Sequence, residues 1–94
     1  MNLTEEQLKE VETMAGLFLS VSEICAVLEL DEETADYFDS CLRVKNNHPF
    51  VKAFMKGRLT TEVQLRTAIK QAALNGSNPA QGQMIEFFNK SKLL

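Results

Sequence analysis

Three times in 94 residues the chain places a hydroxyl side chain three positions ahead of Glu or Gln: Thr4–Gln7, Ser20–Glu23 and Thr61–Gln64. Such a pair can close a capping box, in which two orphan amides at a helix start are satisfied reciprocally. Asp31, His48-Pro49 and Asn78-Pro79 mark three further starts, because Asp and Asn cap helices and proline suits the first turn. A chain punctuated this densely is confined to short helices. No segment alternates apolar and polar residues at the strand period.

The apolar spacing between these marks supports six helical segments. Leu8, Val11, Ala15, Phe18 and Leu19 recur at helical intervals and define the buried face of the first. A short second helix runs from Ser20 to about Leu28. Asp31 caps a third, with Ala35, Phe38 and Leu42 on one side. Phe50, Val51, Phe54 and Met55 give a fourth that stops near Gly57. Thr61 opens a fifth, whose buried side is Leu65, Ala68, Ile69 and Ala72 and which ends at Asn75-Gly76. The last offers Met84, Ile85, Phe87 and Phe88 to close the core, and Asn89–Lys92 should fray. The expected fold is all-α, a compact bundle of five to six short helices in a single domain, 1–94. It contains a helix-turn-helix-like unit at about 20–44, basic helices at about 49–75 and a closing helix at about 79–90.

Size and composition narrow the function. The chain is long enough for one core, and 45% of its residues are apolar. No stretch approaches the roughly 20 apolar residues of a membrane span, and Met1-Asn2-Leu3-Thr4-Glu5 is not a signal peptide, so a cytoplasmic, membrane-free protein is expected. Cys25 and Cys41 fall within expected helices, where buried free thiols are the ordinary reading. Catalysis finds little support. The single histidine, His48, reads as a residue at a helix start, no cysteine or second histidine stands at metal-ligand spacing, and no glycine-rich phosphate loop occurs. Neither enzyme activity, nor a metal, nor a cofactor is expected.

Charge is divided along the chain. Residues 1–42 carry eleven acids against the single base Lys9, a local charge of −10. Residues 43–70 carry seven bases against Glu62, a local charge of +6, and residues 71–94 add +1. A basic half of this kind suits a polyanion or the acidic half of a neighbouring copy.

The segment from Ser20 to Phe38 has the layout of a helix-turn-helix, a unit that commonly sets its second helix in the DNA major groove. Ala26 supplies a small residue for a close helix crossing, Leu30 an apolar residue after the turn and Phe38 an anchor. Glu29 occupies the turn position where glycine is usual and a positive φ is expected. The second helix, however, is acidic. Capping and the helix dipole account for Asp31, Glu32 and Glu33. They do not account for Asp36 and Asp39, which share an outward stripe with Glu32 and Arg43. Asp39 and Arg43, four apart, should pair. Base readout favours Arg, Lys, Asn and Gln over acids, so Glu32, Asp36 and Asp39 read better as a protein-interaction face. Thr34, Tyr37 and Arg43 remain as candidate DNA contacts from this helix. The main candidates lie further on: Lys52 with Lys56, Arg58 at the connection, and Arg66 with Lys70, five cations able to follow a phosphate backbone. Val63 and Leu74 fall on an exposed side in projection and hint at subunit contact.

The run Leu3-Thr4-Glu5-Glu6-Gln7 through Phe38, then Lys56-Gly57-Arg58-Leu59, Leu65-Arg66-Thr67-Ala68-Ile69 and Ala72 to Ala80, resembles small terminase subunits and related helix-turn-helix proteins of tailed phages and prophages. The resemblance implies a non-catalytic protein that oligomerises, often as a ring. It would bind double-stranded viral DNA for packaging and present it to a large terminase subunit in the bacterial host cytoplasm. The chain departs from that pattern in its acidic third helix and in its short length. Two alternatives stand beside this reading: a protein-interaction module on the same scaffold that uses its acidic third helix, and a transcriptional regulator.

Overall fold

Each of the first three helices starts at a side chain that caps it. A computed structural model describes residues 2–92, in which five helices and no strand occur: α1 (Glu5–Gly16), α2 (Val21–Val27), α3 (Glu32–Arg43), α4 (Pro49–Leu74) and α5 (Asn78–Lys92). The fold class is all-α. Thr4 accepts from the Gln7 amide while Gln7 accepts from the Thr4 amide, at 3.1 and 2.9 Å. Ser20 and Glu23 close the second box in the same way. The Asp31 carboxylate accepts from the Thr34 amide at 2.8 Å. His48 opens α4, its ring Nδ1 accepting from the Phe50 amide at 3.0 Å.

One terminating device ends the first four helices. The amide two residues past the C-cap bonds back to the carbonyl three residues before the cap, as in Leu19 to Met14, Leu30 to Cys25, Asn46 to Cys41 and Ser77 to Ala72. This Schellman geometry needs a left-handed residue between them. Gly76 fills it in the last case, with φ 96°, but Phe18, Glu29 and Lys45 fill it in the others, with φ 64°, 58° and 51°. The positive φ expected at Glu29 is present. Phe18 lies beyond the end of α1 and is exposed, because the Schellman turn stops the helix three residues short of Leu19.

Two expected helices are one. α4 passes through Gly57 without a break and continues past Thr61. Thr61 does not cap; its hydroxyl donates to the Gly16 carbonyl at 2.7 Å, satisfying the end of α1. The Thr60 hydroxyl bonds back to the Lys56 carbonyl at 2.7 Å, an internal arrangement that lets threonine sit within a helix. Gly57 is buried, and a side chain there would run into the Glu12 backbone carbonyl. It is the point at which α1 and α4 touch backbone to backbone.

The chain divides between Thr61 and Glu62 into two compact units. The first holds the core: Val11, Ala15, Val21, Ile24, Cys25, Phe38, Phe50 and Phe54. Phe38 and Phe50 stack with ring centres 4.4 Å apart and planes 3° from parallel. α2 presents Val21, Ile24 and Cys25 inward at helical spacing, which turns Ala26 outward; it is exposed rather than at a crossing. Both cysteines are buried and free, and burial raises the Cys25 thiol pKa.

The second unit pairs the C-terminal part of α4 with α5 through the turn Asn75–Ser77. Gln81 donates to the Ala73 carbonyl at 3.1 Å, and the Arg66 guanidinium lies 4.2 Å from the centre of the Phe87 ring. Ala80 is buried, but Leu65 and Ala68, expected inside, are exposed, as are Ile85 and Phe88. Two helices offer each other one face, too little to cover the apolar periodicity both carry. α5 continues to Lys92 rather than fraying at Asn89.

Candidate nucleic-acid interface

α2, the turn at Glu29 and α3 form the helix-turn-helix-like unit, and the stripe read from sequence is on its surface. Glu32 and Asp36 are exposed; Asp39 pairs with Arg43 at 2.7 Å. Both partners are solvated, so the pair contributes at most about 0.5 kcal/mol. Asp36 and Asp39 also line a shallow groove of about 230 Å³ with Val21, Ser22 and Ala35. The Thr34 amide is held by Asp31, which in turn lowers the Asp31 carboxyl pKa. Tyr37 is partly exposed, with its ring against Phe38 and His48 at 5.7 Å, and a hydrogen bond with Cys41 raises its hydroxyl pKa.

The cations divide by environment. In the first unit Lys52 and Lys56 stand one turn apart on α4, both exposed. Lys56 approaches Glu12 at 3.6 Å, whereas Lys52 forms no ion pair among the described residues. Arg58 is half-buried. Its guanidinium donates to the Leu19 carbonyl at 3.2 Å and lies 4.7 Å from the Phe54 ring centre and 5.6 Å from that of Phe18. Its Nε is buried with no hydrogen-bond partner. These contacts anchor the turn after α1, and they leave Arg58 few donors for phosphate. The charge of Arg58 alone points to phosphate and does not disclose this role. The available signal was Phe54, four residues before Arg58 on one helical face.

In the second unit the Arg66 guanidinium donates to the Glu62 carboxylate, with Nη2 3.0 Å from Oε1, and covers Phe87, so it too is partly engaged. Lys70 is exposed and forms no ion pair among the described residues. Of the five α4 cations, Lys52, Arg58 and Lys70 form no ion pair among the described residues, and of these Lys52 and Lys70 are exposed.

An open groove of about 520 Å³ is lined by Glu6, Lys9, Glu10, Thr13, Met14 and Val27. No group of three metal-ligating side chains occurs among the described residues, and no described helix is long and apolar enough to cross a membrane. Comparison of the chain with protein-family models, with curated proteins and with solved structures found no match.

Proposed function

We propose that the chain is a non-catalytic, oligomerising helix-turn-helix protein that binds double-stranded DNA, in the manner of the small terminase subunits it resembles. One observation carries this reading. A helix-turn-helix-like unit is followed at once by a long helix with five cations, of which Lys52 and Lys70 are exposed and without an ion pair among the described residues. Phosphate contact falls mainly to Lys52 and Lys70, with Lys56 and Arg66 contributing as their carboxylate partners yield. Arg58 serves packing first. Thr34, Tyr37 and Arg43 supply the contacts available from α3, whose acids keep it from lying flush on a phosphate backbone.

The test is a fluorescence-anisotropy titration of duplex DNA at several salt concentrations. Each phosphate contact contributes about 0.9 to the slope of log K against log salt. Lys52→Glu combined with Lys70→Glu should weaken binding and lower that slope by about two, with helix content unchanged by circular dichroism. Unaltered affinity and slope would remove the assignment. Arg66→Glu is a poorer probe, since it also releases Glu62 and Phe87.

The exposed Glu32 and Asp36 favour a second reading, in which the α3 face docks a basic protein surface. Glu32→Lys with Asp36→Lys distinguishes the two. It should abolish capture of a basic partner on the second reading, and leave DNA affinity equal or higher on the first.

A further inference from the structure

We propose that the groove between α1 and α2 is a docking site for a basic amphipathic helix of another protein. The groove belongs wholly to the first compact unit, and it depends neither on DNA binding nor on the acidic face of α3. A helix turns about 100° per residue, so Glu6, Glu10 and Thr13 project within about 60° of one another on α1. Met14 and Lys9 stand on opposite edges of that stripe. The Met14 edge adjoins α2: Met14 packs against the core, and Val27 lines the same groove. Val27 is 61% exposed, although α2 buries Val21, Ile24 and Cys25. Leu17, one turn beyond Thr13 on the stripe, is 69% exposed. The site thus has an acidic end at Glu6 and Glu10 and an apolar end at Met14, Leu17 and Val27.

The dimensions suit a helix. From Glu6 to Leu17 the stripe rises about 16 Å, or three turns. The groove beside it, about 520 Å³, is open. Small-molecule sites enclose most of their ligand, whereas an open groove accepts side chains from a helix laid along it.

Charge selects the occupant. Glu6 and Glu10 form no ion pair among the described residues, whereas Glu12 meets Lys56. α1 carries four acids against Lys9 alone, within a stretch of net −10 over residues 1–42. That field repels nucleic-acid phosphate and anionic lipid headgroups and draws a cationic segment. Lys or Arg residues four apart on a helix match the one-turn spacing of Glu6 and Glu10, and an apolar side chain one turn further on meets Met14 and Val27. Lys9, on the outer edge, repels a segment that is basic all round. The site therefore prefers an amphipathic helix to a polybasic tail.

The experiment titrates the full chain with a fluorescent helical peptide about three turns long. The peptide bears two Lys four apart and Leu one turn beyond; a scrambled peptide of the same composition is the control. The native chain should bind the amphipathic peptide about tenfold more tightly than the scrambled one, and salt should weaken that binding. Amide chemical shifts should move at Glu6, Glu10, Thr13, Met14 and Val27. Glu6→Lys with Glu10→Lys should weaken binding about tenfold. Val27→Gln, at an exposed position, should weaken it about threefold with far-UV circular dichroism unchanged. Glu32→Lys with Asp36→Lys should leave it as it was. No binding at millimolar peptide, equal binding of the scrambled peptide, or full affinity in the Glu6 and Glu10 variant would overturn the proposal. So would loss of binding in the α3 variant alone, which would move the contact to α3. Groove amides that shift when the chain alone is concentrated would assign the groove to a second copy and overturn it as well.

Discussion

Replacing Gly57 by alanine sets two effects of opposite sign against each other at one atom. In an exposed helix interior, Gly→Ala stabilises by about 1 kcal/mol, because alanine has the better helix propensity and the smaller conformational loss. At Gly57 the added methyl would fall onto the Glu12 carbonyl oxygen, 2.9 Å from its carbon and 3.1 Å from the Glu12 Cα. Ordinary contact begins at 3.4 Å, and the obstacle is backbone, which cannot swing aside like the end of a side chain. α1 must therefore withdraw from α4 by roughly an ångström. A gap of that size forfeits about a quarter to a half of the dispersion contact across it. It also stretches the bond from Thr61 to the Gly16 carbonyl, worth about 1 kcal/mol net. Overpacking of this kind costs about 1–3 kcal/mol. Allowing for the lost hydrogen bond and the propensity gain, Gly57→Ala should destabilise by roughly 1–3 kcal/mol.

The sole tyrosine, Tyr37, lies in the first unit, and the chain has no tryptophan. Its emission during urea unfolding therefore reports on the part of the protein where the clash occurs. A midpoint lowered by about 0.5–3 M is predicted, given a urea dependence of about 1–2 kcal/mol per molar for a chain this small. Gly82→Ala is the control. A methyl there meets nothing within 4 Å, so it should stabilise α5 by about 0.5–1 kcal/mol, read by circular dichroism. Gly57→Ala with a midpoint equal to or above the native one would refute the backbone contact between α1 and α4.

Two further perturbations test other parts of the fold. Glu29→Gly relieves a left-handed residue in the turn between α2 and α3; relief of about 1–2 kcal/mol less the greater flexibility of unfolded glycine predicts a net gain of about 0.5–1 kcal/mol in thermal or urea unfolding. A loss of stability would mean that the Glu29 side chain holds the turn by some other contact. The hydrogen bonds that the Asp31 carboxylate accepts from Thr34 lower its pKa, so the folded chain takes up that proton less readily than the unfolded one. The resulting stability is complete above the ordinary aspartate value and disappears as pH falls through the lowered one. Asp31→Asn, which keeps a cap, should flatten that part of the acid-unfolding curve, and an unchanged curve would contradict the assignment.

Local chemistry made the first half of the fold legible. Thr4, Ser20 and Asp31 cap the helices assigned to them, and Val11, Ala15 and Phe38 are core residues. Asp39 and Arg43 pair as their spacing requires. The second half was less legible because its signals serve two purposes. Thr61 with Gln64 has the form of a capping box, yet its hydroxyl satisfies a carbonyl 45 residues away in sequence. Gly57 has the form of a helix stop, yet its missing side chain admits another helix. Both depend on tertiary contact, which periodicity does not encode. The same holds for Arg58, whose charge alone suggests phosphate and whose neighbours Phe18, Phe54 and Leu19 make it an anchor. Leu65 and Ile85 carry the pattern of core residues, but the hairpin that bears them leaves them exposed. In the candidate interface, the acidic stripe on α3 and the exposure of Lys52 and Lys70 were legible, and the engagement of Lys56 and Arg66 by carboxylates was not.

If the cations of α4 grip DNA despite the acidic α3, the contact is electrostatic and must release counterions. The most direct measurement is the affinity of the native chain for duplex DNA across salt concentrations. Binding that weakens with salt, with a slope of about −2 or steeper in log K against log salt, is the predicted result. No binding at low salt, or binding indifferent to salt, would contradict it.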